Sequence, residues 1–357
     1  MIEVDGAMLE GGGQLLRVTV ALSAVTSTPV RVVNIRAKRP NPGLRAQHLS
    51  AMQAVARLVN AKTKGLALGS REIEFEPGPI EAKNIEVDVG TAGSTSLILQ
   101  AMMPAMVFAQ SPLTAVLKGG TNNPMAPPVD FLERVLLPTL RGTGASASLE
   151  LVRRGFYPRG QGILRVSTNP ATTLSPITLE DFGDIERVSG LAYSSRLPEH
   201  VANRLISSAK SHLLRAGFRD PEIDREILQP SDARCAVDPG CGIILTAELS
   251  SKGIISGDAL GAPGKPAEKV GEEAAQTLTR QLESCAPVDK HLGDQLVIWM
   301  ALAEGTSVIR VSELTLHTLT CVRLVEDLIG VRFKVEGERG KPATIRCQGA
   351  GLRNKTL

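Results

Sequence analysis

The stretch EGGGQLLRVTVALSAVTSTPVRVVNIR, residues 10–36, decides the fold because its pattern occurs three times along the chain. It begins with glycines, continues as a helix with an apolar stripe, turns at residues 26–29 and ends in a strand. The same order of elements occurs in GTAGSTSLILQAMMPAMVFAQSPLTAVLKGG, residues 90–120, and in HLGDQLVIWMALAEGTSVIRVSEL, residues 291–314. Although the three copies share little identity, their common pattern predicts a large domain of repeated β-α-β-type units with pseudo-threefold symmetry.

Between the second and third copies the pattern changes. The predicted order is a strand over 185–193, a helix over 199–216, a strand over 242–249 and a helix over 267–284. This order predicts a small α+β insert with its own core, whose two ends lie close together. The sequence therefore predicts a large domain made of residues 1–182 and 288–357, and an inserted domain of residues 183–287.

Composition limits the classes of function. The net charge of the 357-residue chain is only +3, so contact with nucleic acid would have to come from a local cluster of cations. No apolar run is long enough to span a bilayer, and the acidic start of the chain is unlike an export signal. The five scattered cysteines form no metal-binding or disulfide pattern and indicate reduced thiols. These features predict a cytoplasmic protein that does not enter a membrane.

A histidine stands at a junction in SELTLHTLTCVRL, residues 312–324. His317 follows a strand-like run and precedes a helix predicted over 318–329, which Gly330 ends. Unpaired N–H groups at the start of a helix favour a phosphate. Two interpretations stay open from position alone: a partly buried side chain bonded to a carbonyl, or an imidazole that attacks a phosphorus atom.

Three glycines open a helix in DGAMLEGGGQLLR, residues 5–17. Leu16 occupies the position of the third glycine of a dinucleotide fingerprint, and no Lys-Ser/Thr pair completes a P-loop. Exposed N–H groups there would still let a phosphate approach. Glu10 could bind a hard divalent cation, and Arg17 lies one turn into the helix on the same side as Gln14. A tight turn with solvated charges is the alternative.

The loop in NIRAKRPNPGLRAQHL, residues 34–49, is basic and contains two prolines. Its four cations are Arg36, Lys38, Arg39 and Arg45. Because proline restricts the backbone, these cations are partly positioned before any ligand binds, which suits phosphate or the end of a polynucleotide. An ordinary exposed basic loop is the alternative.

Together with GTAGSTSLILQ, GGTNNPMAPPVDF, RGFYPRGQG, HLGDQLV and LTLHTLT, these blocks resemble RNA 3′-terminal phosphate cyclases over nearly the whole chain. The resemblance implies an α+β fold: three β-α-β-α-β-β units, as in enolpyruvyl transferases, with a small inserted domain. It also implies a reaction. ATP adenylylates a histidine and releases pyrophosphate, with Mg²⁺ or Mn²⁺ as cofactor. AMP then passes to an RNA 3′-phosphate, and the neighbouring 2′-hydroxyl displaces AMP to form a 2′,3′-cyclic phosphate.

The resemblance also implies roles for residues. His317 corresponds to the nucleophile, Pro127 to a wall for the adenine, and Glu10 to a carboxylate associated with the metal. The positions that it assigns to the nucleotide are Gln100, His291, Leu292, Gly293, Asp294 and Gln295. Those that it assigns to phosphates or substrate are Arg17, Arg36, Arg39 and Gln47.

This chain departs from the family pattern in two places. His291 stands where some members have a tyrosine that stacks on adenine, and Gln161 stands where a glycine is frequent. A histidine can also stack on adenine, so the first departure bears on nucleotide preference. The second bears on how closely the backbone of that loop can approach a ligand.

Two other functions are compatible with parts of the pattern. A cyclase-like branch of the family acts in ribosome assembly as an RNA-binding factor without the cyclase reaction, but it lacks the nucleophilic histidine. An enolpyruvyl transferase would share only the repeated fold. The sequence leaves open the physiological RNA, the preferred metal, the role of the insert and whether the protein forms a homo-oligomer.

Overall fold

A computed structural model of the chain describes residues 1–81 and 83–354. Ala82 and residues 355–357, which fall within the predicted large domain, lie outside the described residues. The first unit forms one sheet in the order β1-β2-β4-β3, with β1 and β2 parallel and the other neighbours antiparallel. Its elements are β1 (Ile2–Asp5), α1 (Gly13–Thr26), β2 (Val30–Val33), α2 (Ala46–Leu58), β3 (Lys62–Lys64) and β4 (Ile73–Glu76).

The second unit repeats this topology with the order β5-β6-β8-β7 and the same parallel first pair. Its second helix is a continuous segment that contains a π-helical turn over Leu132–Leu136. Its elements are β5 (Ile85–Asp88), α3 (Thr95–Val107), β6 (Leu113–Gly119), α4 (Val129–Phe131), α5 (Leu137–Arg141), β7 (Ser146–Arg153) and β8 (Gly162–Asn169).

The insert interrupts the third unit after its first strand, β9 (Thr178–Leu179). Its sheet has the order β11-β10-β12-β13, and its two helices pack together over that sheet around a separate apolar core. Its elements are β10 (Ile185–Ser195), α6 (His200–Arg215), β11 (Glu222–Leu228), β12 (Gly240–Leu249), β13 (Ile254–Leu260) and α7 (Ala267–Leu282). The sequence did not predict β11 and β13, and the residue ranges of the two domains stay a prediction.

After the insert the third unit resumes. Its remaining elements are α8 (Lys290–Leu302), β14 (Thr306–Val311), α9 (Leu316–Ile329), β15 (Phe333–Glu336) and β16 (Ala343–Gln348). The sheet order is β9-β14-β16-β15, with β9 and β14 parallel. All three units therefore share one β-α-β-α-β-β topology, which confirms the predicted α+β fold and its threefold repeat. The insert lies inside the first β-α connection of the third unit.

One apolar core extends through all three units. Helix α1 packs against α2, α3 and α9, and α8 packs against α9. Because α1, α3 and α8 have helices or sheets on most sides, they are apolar almost all round instead of along one stripe. This packing brings residues near the starts of α1, α8 and α9 together, and the candidate active site lies there. No helix within the described residues is long and apolar enough to cross a membrane.

Candidate active site

His317 lies in the first turn of α9. The helix begins at Leu316, two residues before the predicted start, because Thr315 caps it and the Thr315 hydroxyl accepts a hydrogen bond from the backbone N–H of Thr318 at 3.0 Å. The side chain of His317 is 53% exposed. The imidazole is therefore accessible to a ligand. Its side chain forms no hydrogen bond to a backbone carbonyl within the described residues, unlike the first of the two interpretations left open by its position.

The surroundings of the ring assign its tautomer. Nδ1 of His317 lies 2.9 Å from Oε1 of Gln14, within hydrogen-bond distance, and 2.7 Å from Oε2 of Glu10, at ion-pair distance. Both oxygens can only act as acceptors. The amide of Gln14 is oriented because its Nε2 donates to Oδ2 of Asp294 at 2.6 Å. With acceptors at Nδ1, the neutral ring carries its proton there, and Nε2 keeps a free lone pair.

The glycines at the start of α1 allow other groups to approach its backbone closely. Gly12 is the N-cap residue, and no side chain caps the helix. A Cβ on Gly13 would lie 2.6 Å from Cδ2 of His48, so the packing of His48 against α1 requires glycine at this position. The uncapped N–H groups of α1 can bind a phosphate.

Partly buried charges lie beside these N–H groups. Arg39 forms an ion pair with Glu10, at 2.5 Å between Nη2 and Oε1. Burial lowers the pKa of Arg17 to about 10, although Asp294 and Glu10 act in the opposite direction. Burial raises the pKa of Asp294 to about 7, against the effect of Arg17. Arg17 is therefore a cation at neutral pH, whereas Asp294 is close to its midpoint of titration.

His48 is neutral at physiological pH. Burial lowers its pKa to about 4, and the cations Arg17, Arg36 and Arg45 add to the effect. Its Nδ1 accepts a weak hydrogen bond from the backbone N–H of Arg45 at 3.3 Å. The imidazole therefore adds a polar group to the site without adding charge.

The predicted nucleotide residues surround the start of α8. Asp289 caps this helix by accepting from the backbone N–H groups of His291 and Leu292 at 2.9 and 2.7 Å. Nε2 of Gln100 donates to Oε1 of Gln295 at 2.7 Å, so α3 and α8 are joined. The exposed His291 has a lowered pKa, chiefly through desolvation. The side chain of Leu292 lies in the core, so that residue can meet a nucleotide only through its backbone.

Three predicted residues form no side-chain hydrogen bond or ion pair with this cluster within the described residues. Pro127 is half-buried in the loop before α4. Nη1 of Arg36 bonds to its own loop, at 2.8 Å to the carbonyl of Asn41 and 3.2 Å to that of Gly43. Gln47 is half-buried on α2, and its side chain makes no hydrogen bond in the part of the chain that the structure describes.

Sequence reasoning did not assign a role to Gln14, His48 or Asp289. The signal for Gln14 was its position beside Arg17 at the start of a glycine-rich helix. Nothing local indicated that its partners would be Asp294 and His317, which lie 280 and 303 residues further along the chain.

Glu10 is the carboxylate that the sequence associates with a divalent cation. No group of three or more His, Cys, Asp or Glu side chains able to hold a metal occurs in residues 1–81 and 83–354. Oε2 of Glu10 is buried, lies 2.7 Å from Nδ1 of His317 and has no hydrogen-bond partner within the described residues. Mg²⁺ commonly takes one or two carboxylates, water and substrate phosphates, so the Glu10 carboxylate would fit such an ion if a substrate supplied the other ligands.

Comparison with known proteins gives a consistent result. A family model described as RNA 3′-terminal phosphate cyclase matches residues 8–335. The protein called RNA 3′-terminal phosphate cyclase from Pyrococcus furiosus is 44% identical to this chain, over 97% of this chain and 98% of that protein. The protein of that name from Ignicoccus hospitalis is 43% identical, over 98% of this chain and 99% of that protein. Among solved structures, the enolpyruvyl transferase NikO from Streptomyces tendae aligns with 98% of this chain and 49% of its own, at a TM-score of 0.38 and 12% identity.

Proposed function

Since this chain belongs to the RNA 3′-terminal phosphate cyclase family and is an enzyme of that family, we propose that it works through a covalent histidine–AMP intermediate at His317. The proposed substrates are ATP and an RNA with a 3′-phosphate end. The proposed products are an RNA with a 2′,3′-cyclic phosphate, AMP and pyrophosphate.

The single observation that carries the proposal is the pair of acceptors at Nδ1 of His317. Because Gln14 and Glu10 both face Nδ1, the lone pair of Nε2 is left to attack the α-phosphorus of ATP. In that step the N–P bond forms and the P–O bond to pyrophosphate breaks. The ring becomes positively charged as it reacts, and the two oxygens at Nδ1 stabilise that charge.

The remaining steps return the histidine to its starting state. An oxygen of the RNA 3′-phosphate attacks the phosphorus of the adenylate, the N–P bond breaks, and Nε2 regains its lone pair. The 2′-hydroxyl then attacks the activated 3′-phosphorus and loses its proton, and AMP leaves. Both steps are phosphoryl or nucleotidyl transfers, in which positioning and charge stabilisation supply most of the catalysis.

The residues near His317 suit such transfers. The N–H groups of α1 and the cations Arg17 and Arg39 supply positive charge for phosphates. Glu10 is the residue that would hold Mg²⁺ or Mn²⁺, which would neutralise charge on the triphosphate. Gln100, His291 and Gln295 are proposed to contact the nucleotide.

The covalent intermediate can be tested with α-³²P-ATP and Mg²⁺. The wild type should acquire a label that is labile in acid and stable in base, and His317→Ala should acquire none. His200→Ala is a matched control because His200 is also an exposed histidine in the first turn of a helix, in the insert. This variant should be labelled like the wild type.

Absence of label on folded wild type, with Mn²⁺ also tried, would refute the mechanism. The RNA-binding assembly factor would then become the better hypothesis. A labelled protein should in addition convert an RNA 3′-phosphate, but not an RNA 3′-hydroxyl, into a cyclic end.

A further inference from the structure

Polar groups of the insert contact the large domain at several places, two of which lie beside the predicted ATP site. One place is the loop that carries Pro127, and the other is the start of the helix that carries His291. These two segments are the predicted sides of the ATP site. Neither contact belongs to the cluster around His317.

The first contact is centred on Arg154, which follows β7 and is 0% exposed. Its guanidinium donates to both oxygens of Asp130, at 2.8 and 3.0 Å, and to Oδ1 of Asn122 at 3.2 Å. Asn122 in turn donates to Asp130 at 2.8 Å. Because Asn122 and Asp130 flank the loop with Pro127, one guanidinium fixes both ends of that loop.

The insert holds this guanidinium in place. Nε of Arg154 donates to a carboxylate oxygen of Glu226 on β11, and its Cζ lies 4.1 Å from the ring centroid of Tyr193 on β10. Burial alone would lower the pKa of Arg154, but Asp130 and Glu226 raise it above its usual value. A buried cation needs such partners, so loss of Glu226 would disturb the whole group.

The second contact is centred on Asp289, the cap of α8, which is fully buried. Its Oδ2 accepts from the backbone N–H and the hydroxyl of Ser256 on β13, at 3.1 and 2.6 Å. Gln281 on α7 accepts from the N–H of Lys290 at 2.9 Å and donates to the carbonyl of Ser256 at 2.8 Å. Two elements of the insert thus fix the first residues of α8.

We propose that the insert positions both sides of the ATP site, with Glu226 holding the loop of Pro127 through Arg154 and Ser256 holding the start of α8 through Asp289. This inference rests on the proposed function, because it concerns how ATP is held. Since the insert has its own apolar core, it can act as a rigid support for these two segments. Glu226 and Ser256 are positioning residues and do not touch the reacting atoms.

Two conservative substitutions test the proposal separately at each contact. Glu226→Gln removes a charge from the group around Arg154, and Ser256→Ala removes one hydrogen bond to Asp289. Glu222→Gln is the matched control, because Glu222 lies on the same strand but forms an exposed ion pair with Arg187. The measurements are KM for ATP, KM for RNA, the Kd of α,β-methylene-ATP by calorimetry, and the melting temperature.

Each of the two variants should raise KM for ATP and the Kd of the analogue by on the order of tenfold, since small displacements of binding groups have large effects. KM for RNA should change by less than about twofold, and Glu222→Gln should match the wild type. A lower melting temperature with unchanged ATP affinity, measured where the variants are folded, would overturn the proposal and leave the insert a purely structural role. If the insert proposal fails in this way but wild type is still labelled at His317, the proposed function stands. If wild type is neither labelled nor able to bind the analogue, both the proposed function and the role of the insert are overturned.

Discussion

At the scale of single residues, the amide of Gln14 connects His317 to the rest of the site. Its nitrogen faces Asp294 and its oxygen faces His317, so one side chain links the orientation of a partly buried carboxylate to that of an exposed imidazole. Glu10 also faces Nδ1. If a cation draws the Glu10 carboxylate away, Gln14 is the acceptor that remains, and the tautomer of His317 would depend on it alone.

Replacing Gln14 should therefore change the protonation of His317. In Gln14→Leu with Mg²⁺ and an ATP analogue bound, we expect ¹⁵N NMR of the imidazole to show less of the Nδ1–H tautomer than in wild type. Adenylylation should slow by about tenfold or more, the usual size of effect for a hydrogen bond that orients a catalytic group. Gln53→Leu, on the exposed side of α2, is the control. An unchanged NMR spectrum and rate would mean that Glu10 alone is sufficient to hold the Nδ1–H tautomer of His317.

Asp294 should reduce stability at neutral pH. Its pKa is about 7 in the folded protein, chiefly through burial, and close to 4 in an unfolded chain. The folded state thus binds the proton more tightly, and the contribution of Asp294 to stability falls as pH rises from about 4 to about 7. Asp294→Asn removes this loss, so it should be more stable than wild type by up to about 4 kcal/mol at pH 8, with a smaller difference at pH 5. Urea unfolding at both pH values measures this, and a difference independent of pH would contradict it.

At the scale of elements, the glycines at the start of α1 determine how closely α1 and α2 approach. A Cβ at position 13 would overlap the ring of His48, whereas one at position 12 would lie 3.2 Å from Nη2 of Arg39, the mobile end of a long side chain. A larger residue should therefore be tolerated at position 12 but not at position 13, although the sequence alone does not distinguish these two glycines.

Gly13→Ala should slow adenylylation by at least about tenfold, because His48 must move out of the site and a displacement of about 1 Å is costly for positioned groups. Gly12→Ala should have a much smaller effect. The comparison requires single-turnover labelling of both variants, together with melting temperatures to show that both are folded. Equal rates for the two variants would exclude a role for the contact between Gly13 and His48.

The elements that the sequence predicted are those whose stability comes from local pattern. Helices α1, α3 and α8 are long apolar runs that small or polar residues precede. Strand β11 escaped prediction because EIDREIL is mostly polar and pairs only with β10 at the edge of its sheet. The predicted start of α9, at residue 318, was two residues too late. The N-cap is Thr315, so His317 lies inside the first turn and not at the cap.

At the scale of the whole molecule, three units of one topology build a site that is not symmetric. The His317 cluster joins α1 of the first unit to α8 and α9 of the third, while the second unit contributes Gln100 through Gln295. The threefold repeat could be predicted because each unit repeats its own periodicity. The side-chain contacts between units could not, because they depend on how helices from distant parts of the chain pack, and only the family resemblance had indicated which residues to expect there.

Charge also acts at this scale, and it predicts how RNA binding depends on salt. With a net charge of +3, the protein as a whole attracts RNA weakly, so local cations should dominate. In the basic loop, Arg39 is paired with Glu10 and Arg36 is bonded to its own backbone. Lys38 and Arg45 are exposed and form no ion pair within the described residues, which leaves them available for phosphates.

We therefore expect RNA affinity to fall with salt at a slope that Lys38→Ala and Arg45→Ala each reduce by about 0.7, the value for one contact with a single-stranded phosphate. The measurement is the Kd of a single-stranded RNA with a 3′-phosphate at several KCl concentrations. Arg219→Ala, at an exposed cation of the insert, should leave the slope unchanged. If Arg219→Ala reduced the slope as much as the two loop variants, the RNA would extend across the insert, and the basic loop would not be its main electrostatic contact.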